Sequence, residues 1–123
     1  MTKNILIVEN NQLNLKLFND ILQVNTYGTV LSLDECQAFD LAHKYNPDLI
    51  VMNIQKPSSS SLEITKLIKS DDSLKEIPII AVTALAMKND EKKIRNAGCD
   101  GYISKPISIT EFLNTIKNFL SGN

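Results

Sequence analysis

The stretch that decides the fold is Pro47-Asp48-Leu49-Ile50-Val51-Met52-Asn53-Ile54-Gln55-Lys56-Pro57. Four consecutive apolar side chains, Leu49 to Met52, stand between Pro47-Asp48 and Lys56-Pro57. The run is too short for a helix and has no polar alternation, so it suits a strand buried on both faces. Such strands belong to parallel sheets whose crossovers are helices, and the flanking sequence supplies both parts.

Towards the N-terminus, Ile5 to Val8 form an equivalent run, followed by Leu13, Leu17, Phe18, Ile21 and Leu22 at helical spacing until Tyr27-Gly28. Thr29 to Leu33 reads as a weaker strand, and Asp34 as the N-cap of a helix carrying Ala38, Phe39, Leu41 and Ala42. Towards the C-terminus, Pro57 and four serines make a loop before a stripe of Leu62, Ile64, Leu67 and Ile68, which ends in the polar stretch Ser70 to Ser73. Ile79 to Val82 is a fourth strand after Pro78. Met87 to Asn96 is a charged, largely solvated helix stopped by Gly98. Tyr102 and Ile103 form a short fifth strand, and Ile109, Phe112, Leu113, Ile116 and Leu120 mark a last amphipathic helix.

Five βα units predict a doubly wound α/β three-layer sandwich whose strand order reverses somewhere. A chain of 123 residues with 43% apolar side chains suffices for one core, so residues 1–123 are expected to be a single domain. Ligands of such sheets collect at the carboxyl ends of the strands beside the reversal of strand order. There the sequence places Glu9-Asn10, Asn53, Thr83 and Lys105.

Composition removes several functions. A formal net charge of -1 offers no field for a nucleic-acid backbone or an anionic membrane surface. No apolar run approaches a membrane span, and the start, MTKNILIVEN, lacks a signal-peptide cleavage pattern, so a cytoplasmic location is expected. Cys36 and Cys99 are far apart and lack CxxC spacing; both read as small packing residues. The lone His43 reads as an exposed or half-buried helix residue. The first turn, Glu-Asn-Asn-Gln, and glycines only at 28, 98, 101 and 122 leave neither GxGxxG nor a Walker loop. Without a GxSxG elbow, a serine hydrolase is also disfavoured.

The segments ILIVENNQLNLKLF, PDLIVMNIQKP, IPIIAVTALAM and GCDGYISKPIS, in this order and spacing, resemble the receiver domain of bacterial two-component response regulators. The resemblance covers essentially the whole chain. ENNQLNLKLF, TALAMK and YISKPIS are most similar to the DivK-type single-domain receivers of cell-cycle and polarity phosphorelays. It implies a flavodoxin-like sheet of five parallel strands in the order 2-1-3-4-5, a phosphoacceptor aspartate ending the third strand and an acidic pair after the first that helps hold Mg²⁺. It also implies a hydroxyl and a lysine at the phosphoryl group, a switch aromatic in the fifth strand and a backbone carbonyl ligand to the metal. These fall on Asn53, on Glu9 and Asn10, on Thr83 and Lys105, on Tyr102 and on Gln55.

Two positions carry the wrong chemistry. The Asn53 carboxamide is neutral and resonance-stabilised and cannot form an acyl phosphate. With Asn10 and Asn53, three formal negative charges fall to one, on Glu9, so no active catalytic residue is expected and Mg²⁺ binding should be weak. Glu9 and Lys105 are expected to neutralise each other across the pocket. Ser61 stands where related receivers place glycine, which suggests a different path for the preceding loop.

The expected function is therefore phosphorelay signalling by protein docking, by a phosphorylation-deficient pseudo-receiver that is not an enzyme. Sensor histidine kinases or phosphorelay proteins are the expected partners, met through residues 87–120; no output domain is expected, and the chain should be a monomer. The alternatives are a phosphotransfer intermediate using Ser104, Thr83, His43 or a deamidated Asn53, and a small flavin-binding domain.

Overall fold

The computed structural model describes residues 3–54, 60–84, 88–105 and 107–121. Its strands are β1 (Asn4–Val8), β2 (Gly28–Ser32), β3 (Leu49–Asn53), β4 (Ile79–Thr83) and β5 (Gly101–Ser104). They pair in parallel in the order β2-β1-β3-β4-β5, the order that the receiver resemblance implies. The helices are α1 (Gln12–Val24), α2 (Ala38–Tyr45), α3 (Ser60–Ser70), α4 (Lys88–Asn96) and α5 (Ile109–Leu120).

Each strand sends alternate residues to opposite faces, so the two apolar layers interleave in sequence. Ile5, Ile7, Leu49, Val51, Ile80, Val82 and Ile103 meet Leu15, Phe18 and Leu22 of α1 and Phe112 and Ile116 of α5. Phe18 and Phe112 stack with ring centroids 5.2 Å apart, joining the two helices. Leu6, Val8, Ile50, Met52, Ile79 and Ala81 face the other way, towards Ala38 and Ala42 of α2, Leu62, Ile64 and Ile68 of α3, and Ile94 of α4. Every residue of β3 and β4 is buried, which is why those strands read as unbroken apolar runs.

Local chemistry sets the boundaries. The Asn11 side chain caps α1 by accepting from Asn14 N at 3.0 Å. Asn46 ends α2 in the left-handed conformation, at φ 45°. Ser108 caps α5 by accepting from Glu111 N at 3.3 Å. Gly98, after α4, has φ +115°, and a Cβ there would lie 2.7 Å from Lys69 Cγ. That lysine ties three segments together: its ammonium pairs with Asp100 at 2.6 Å and donates to Ile77 O at 2.8 Å.

Several details differ from the sequence expectation. Leu13 and Leu17 are not on the buried stripe of α1: they are 79% and 48% exposed, while Leu15, Phe18 and Leu22 point inward. At about 100° per residue, Leu13 lies roughly 200° from Leu15, on the solvent side. Leu67 and Ile109 are likewise exposed beyond the stripes of α3 and α5. β2 ends at Ser32, leaving Leu33 outside. Asp34 caps a short 3₁₀ turn, Glu35–Gln37, by accepting from Cys36 N, and α2 starts only at Ala38. Cys36 is exposed rather than packed, whereas Cys99 is buried. Ser60 and Ser61 belong to α3 and not to the loop before it. The rest of that loop, from Pro57 to Ser59, lies outside the described residues, as does Met87.

Candidate functional site

Strand order reverses between β1 and β3, so the carboxyl ends of these neighbouring strands open a crevice, with Thr83 ending β4 and Lys105 following β5 on the same side of the sheet. Four of the residues expected there meet directly. Glu9 follows β1 and is 1% exposed. Its backbone N–H donates to Ser32 O at 3.0 Å, while its Oε2 accepts from Asn11 N at 3.0 Å. Its Oε1 has no hydrogen-bond partner among the described residues and lies 3.6 Å from Lys105 Nζ. At that separation the two attract as charges without a hydrogen bond.

Lys105 donates its hydrogen bond elsewhere: Nζ reaches Asn53 Oδ1 at 3.0 Å. Asn53, at the end of β3, is 7% exposed, and its Nδ2 donates to Asn10 Oδ1 at 3.4 Å. One amide thus accepts from an ammonium and donates to a second amide, which fits its two-sided hydrogen-bonding capacity. A carboxylate at 53 could accept from Lys105 but could not donate to Asn10 when ionised. The expected neutralisation of Glu9 by Lys105 is present as a contact between charges, with Asn53 taking the directional bond.

Thr83 ends β4 fully buried, and its backbone carbonyl accepts from Lys105 N at 2.8 Å, fixing where the lysine leaves β5. Tyr102 lies half-buried on β5 beside α4. Burial raises its phenol above the usual range, helped by Glu91 and Asp90 and opposed by Arg95. Gln55 falls outside the described residues. His43 sits exposed on α2, its Nε2 3.0 Å from Asp71 Oδ2 and away from the crevice residues. Among the described residues no group of three or more His, Cys, Asp or Glu side chains could hold a metal ion.

The sequence draws attention to Ser61 but not to its partners. The Ser61 hydroxyl, 1% exposed, lies 3.2 Å from the backbone oxygen of Asn53 and also donates to Glu35 Oε2, while Ser60 donates to Glu35 Oε1. Glu35 comes from the 3₁₀ turn, 26 positions before Ser61. No local spacing rule joins residues so far apart.

This arrangement of sheet and crevice is that of a receiver domain. The chain belongs to the response regulator receiver domain family, whose model matches residues 5–117. It is 52% identical over 120 residues to the polar-differentiation response regulator DivK of Brucella ovis, covering 98% of each chain, and equally so to that of Brucella anthropi. Among solved structures it is similar to the receiver domain of a sensor histidine kinase from Pseudomonas aeruginosa PAO1, with a TM-score of 0.89 and 27% identity, over 99% of this chain and 100% of that one. That structure holds a magnesium ion in its active-site cleft. The fold is shared equally with chemotaxis protein CheY4 of Vibrio cholerae, at 21% identity and a TM-score of 0.89, over 98% of this chain and 100% of that one. The chain is accordingly a DivK-like response regulator of two-component signalling.

Proposed function

We propose that this receiver acts by docking and not by aspartyl phosphorylation: a pseudo-receiver whose pocket descends from a phosphoacceptor site but no longer accepts phosphate. The observation that carries the reading is the amide of Asn53, bonded on one side to Lys105 and on the other to Asn10. Phosphoryl transfer at this position needs an anionic oxygen nucleophile; a carboxamide has none to offer.

The donor set does not suit Mg²⁺ either. A hard divalent cation favours anionic oxygens, and among the described residues Glu9 is the one carboxylate at the meeting point, with an ammonium 3.6 Å away. At about 4 Å and an effective dielectric near 20, each missing carboxylate removes on the order of 8 kcal/mol of gross attraction before desolvation. Lys105 supplies the positive charge that Glu9 faces, and Asn10 and Asn53 complete a neutral, hydrogen-bonded set.

The other acceptors are less favoured. Deamidation of Asn53 requires its side-chain carbonyl to be attacked by the backbone nitrogen of Ile54. That N–H is engaged with Val82 O at 3.0 Å beyond the end of the strand. His43 is paired with Asp71 on a helix of the opposite layer from α1 and α5.

In this reading residues 1–123 act as one cytoplasmic receiver unit. It meets sensor kinases or phosphorelay proteins through α4, β5 and α5, and exchanges partners through a conformational equilibrium not set by phosphate. The test is to incubate the purified chain with acetyl phosphate and Mg²⁺ and measure intact mass before and after hydroxylamine. The expected result is no labile adduct; a stoichiometric, hydroxylamine-sensitive phosphate on residue 53 would overturn the proposal.

A further inference from the structure

The Glu35 carboxylate spans the hydroxyls of Ser60 and Ser61 at the first turn of α3, one oxygen to each. An anion held there also faces the positive end of the helix dipole. Ser61 extends the connection to the pocket, because its oxygen lies 3.2 Å from the backbone carbonyl of Asn53. A hydroxyl has one proton to donate and here has two acceptors. The Ser61 hydroxyl is therefore a shared donor between the Glu35 carboxylate and the Asn53 backbone carbonyl, a clasp that joins the 3₁₀ turn and the start of α3 to the end of β3.

We propose that Glu35 and Ser61 are positioning residues for the amide pocket. The clasp holds the end of β3 and the start of α3 at one separation, so that the Asn53 side chain meets Lys105 and Asn10 in a single arrangement. This deepens the docking proposal and rests on it for the meaning of the pocket, since it assigns to side chains of this chain the task of keeping a phosphate-free site in one state. A glycine at 61 could make neither side-chain bond.

The experiment uses the full chain labelled with ¹⁵N and follows the side-chain NH₂ of Asn53 in Ser61→Ala, Glu35→Gln and the double variant. In both single variants the Asn53 NH₂ resonances should shift and their solvent exchange should rise by about tenfold, while urea midpoints stay close to that of the unaltered chain. The double variant should add little to the larger single effect, because both changes break one connection. Residues acting only as packing would give additive stability losses and leave the Asn53 NH₂ unmoved, and that outcome overturns the proposal. If Ser61→Ala does not fold, Glu35→Gln alone decides, since it alters a half-buried side chain without changing its size: an unmoved Asn53 NH₂ refutes the clasp, and a shifted one supports it. A labile phosphate on residue 53 would end the docking reading without touching this result, so the two can fail separately.

Discussion

Replacing Lys105 by alanine strands a buried carboxylate, and its cost follows from the geometry. Glu9 Oε1 and Lys105 Nζ are 3.6 Å apart, with the acid 1% and the lysine side chain 27% exposed. At an effective dielectric near 20 the gross attraction is about 332/(20 × 3.6), or roughly 5 kcal/mol. The exposed part of Lys105 is hydrated in the folded and unfolded chain alike, so screening reduces this to about 1–2 kcal/mol. The hydrogen bond from the ammonium to Asn53 Oδ1 adds about 1 kcal/mol. The sum, about 2–3 kcal/mol, is large against the whole stability of a small domain. For a chain of 123 residues it corresponds to a fall in Tm of roughly 8–12 °C.

Urea unfolding at pH 7 followed by circular dichroism measures this directly. Glu9→Gln made in the Lys105→Ala background should recover part of the loss, because it removes the charge left unpaired. The two substitutions should therefore couple by about 1–2 kcal/mol in a double-mutant cycle. A Lys105→Ala variant within about 0.5 kcal/mol of the unaltered chain, together with an additive cycle, would refute the reasoning and leave Lys105 an ordinary surface lysine.

Two further outcomes can be measured independently. Restoring both acids, Asn10→Asp with Asn53→Asp, should bring saturable Mg²⁺ binding by calorimetry where the unaltered chain shows little; no metal response in the double variant would count against the pocket mapping. The Cys99 thiol, pushed up to about 11 chiefly by burial, makes stability alkali-sensitive. Its folded pKa lies above the unfolded value, so the stabilisation is complete below the unfolded pKa and is lost as pH rises towards 11. Between pH 9 and 11 the unaltered chain should therefore lose about 2 kcal/mol more than Cys99→Ala, and parallel stability profiles would disprove this assignment.

The layer architecture was legible because burial on both faces leaves a direct trace. β3 and β4 appear as continuous apolar runs since each side of the sheet carries its own core. Helix faces were less legible. Leu13, Leu17, Leu67 and Ile109 are apolar and suitably spaced with respect to one neighbour or another, yet they stand in solvent. Apolar identity says what a side chain tolerates; only the angular position of the whole stripe says where it points. At the crevice, Glu9, Asn10, Asn53 and Lys105 were accessible to reading because each lies at or just beyond the end of a strand. Glu35 was not, because a carboxylate in a 3₁₀ turn carries no mark that its partners are two serines on another helix.

The fold tolerates amides at its crevice for a reason visible in the same contacts. Aspartate and asparagine have nearly the same shape, so exchanging them at 10 and 53 leaves the apolar layers undisturbed and changes only charge and hydrogen-bonding direction. With carboxylates at both positions beside Glu9, three formal negative charges would face the Lys105 ammonium among the described residues. With amides, Glu9 has Lys105 nearby, and Asn53 joins Lys105 to Asn10 as acceptor on one side and donor on the other. In the proposed pseudo-receiver, amides at 10 and 53 lower the formal charge of the pocket from three negatives to the one on Glu9, which Lys105 faces. An amide at 53 alone would leave two acids facing one lysine, and an amide at 10 alone would retain the acceptor. The two amides together leave Glu9 and Lys105 as the facing charges among the described pocket residues.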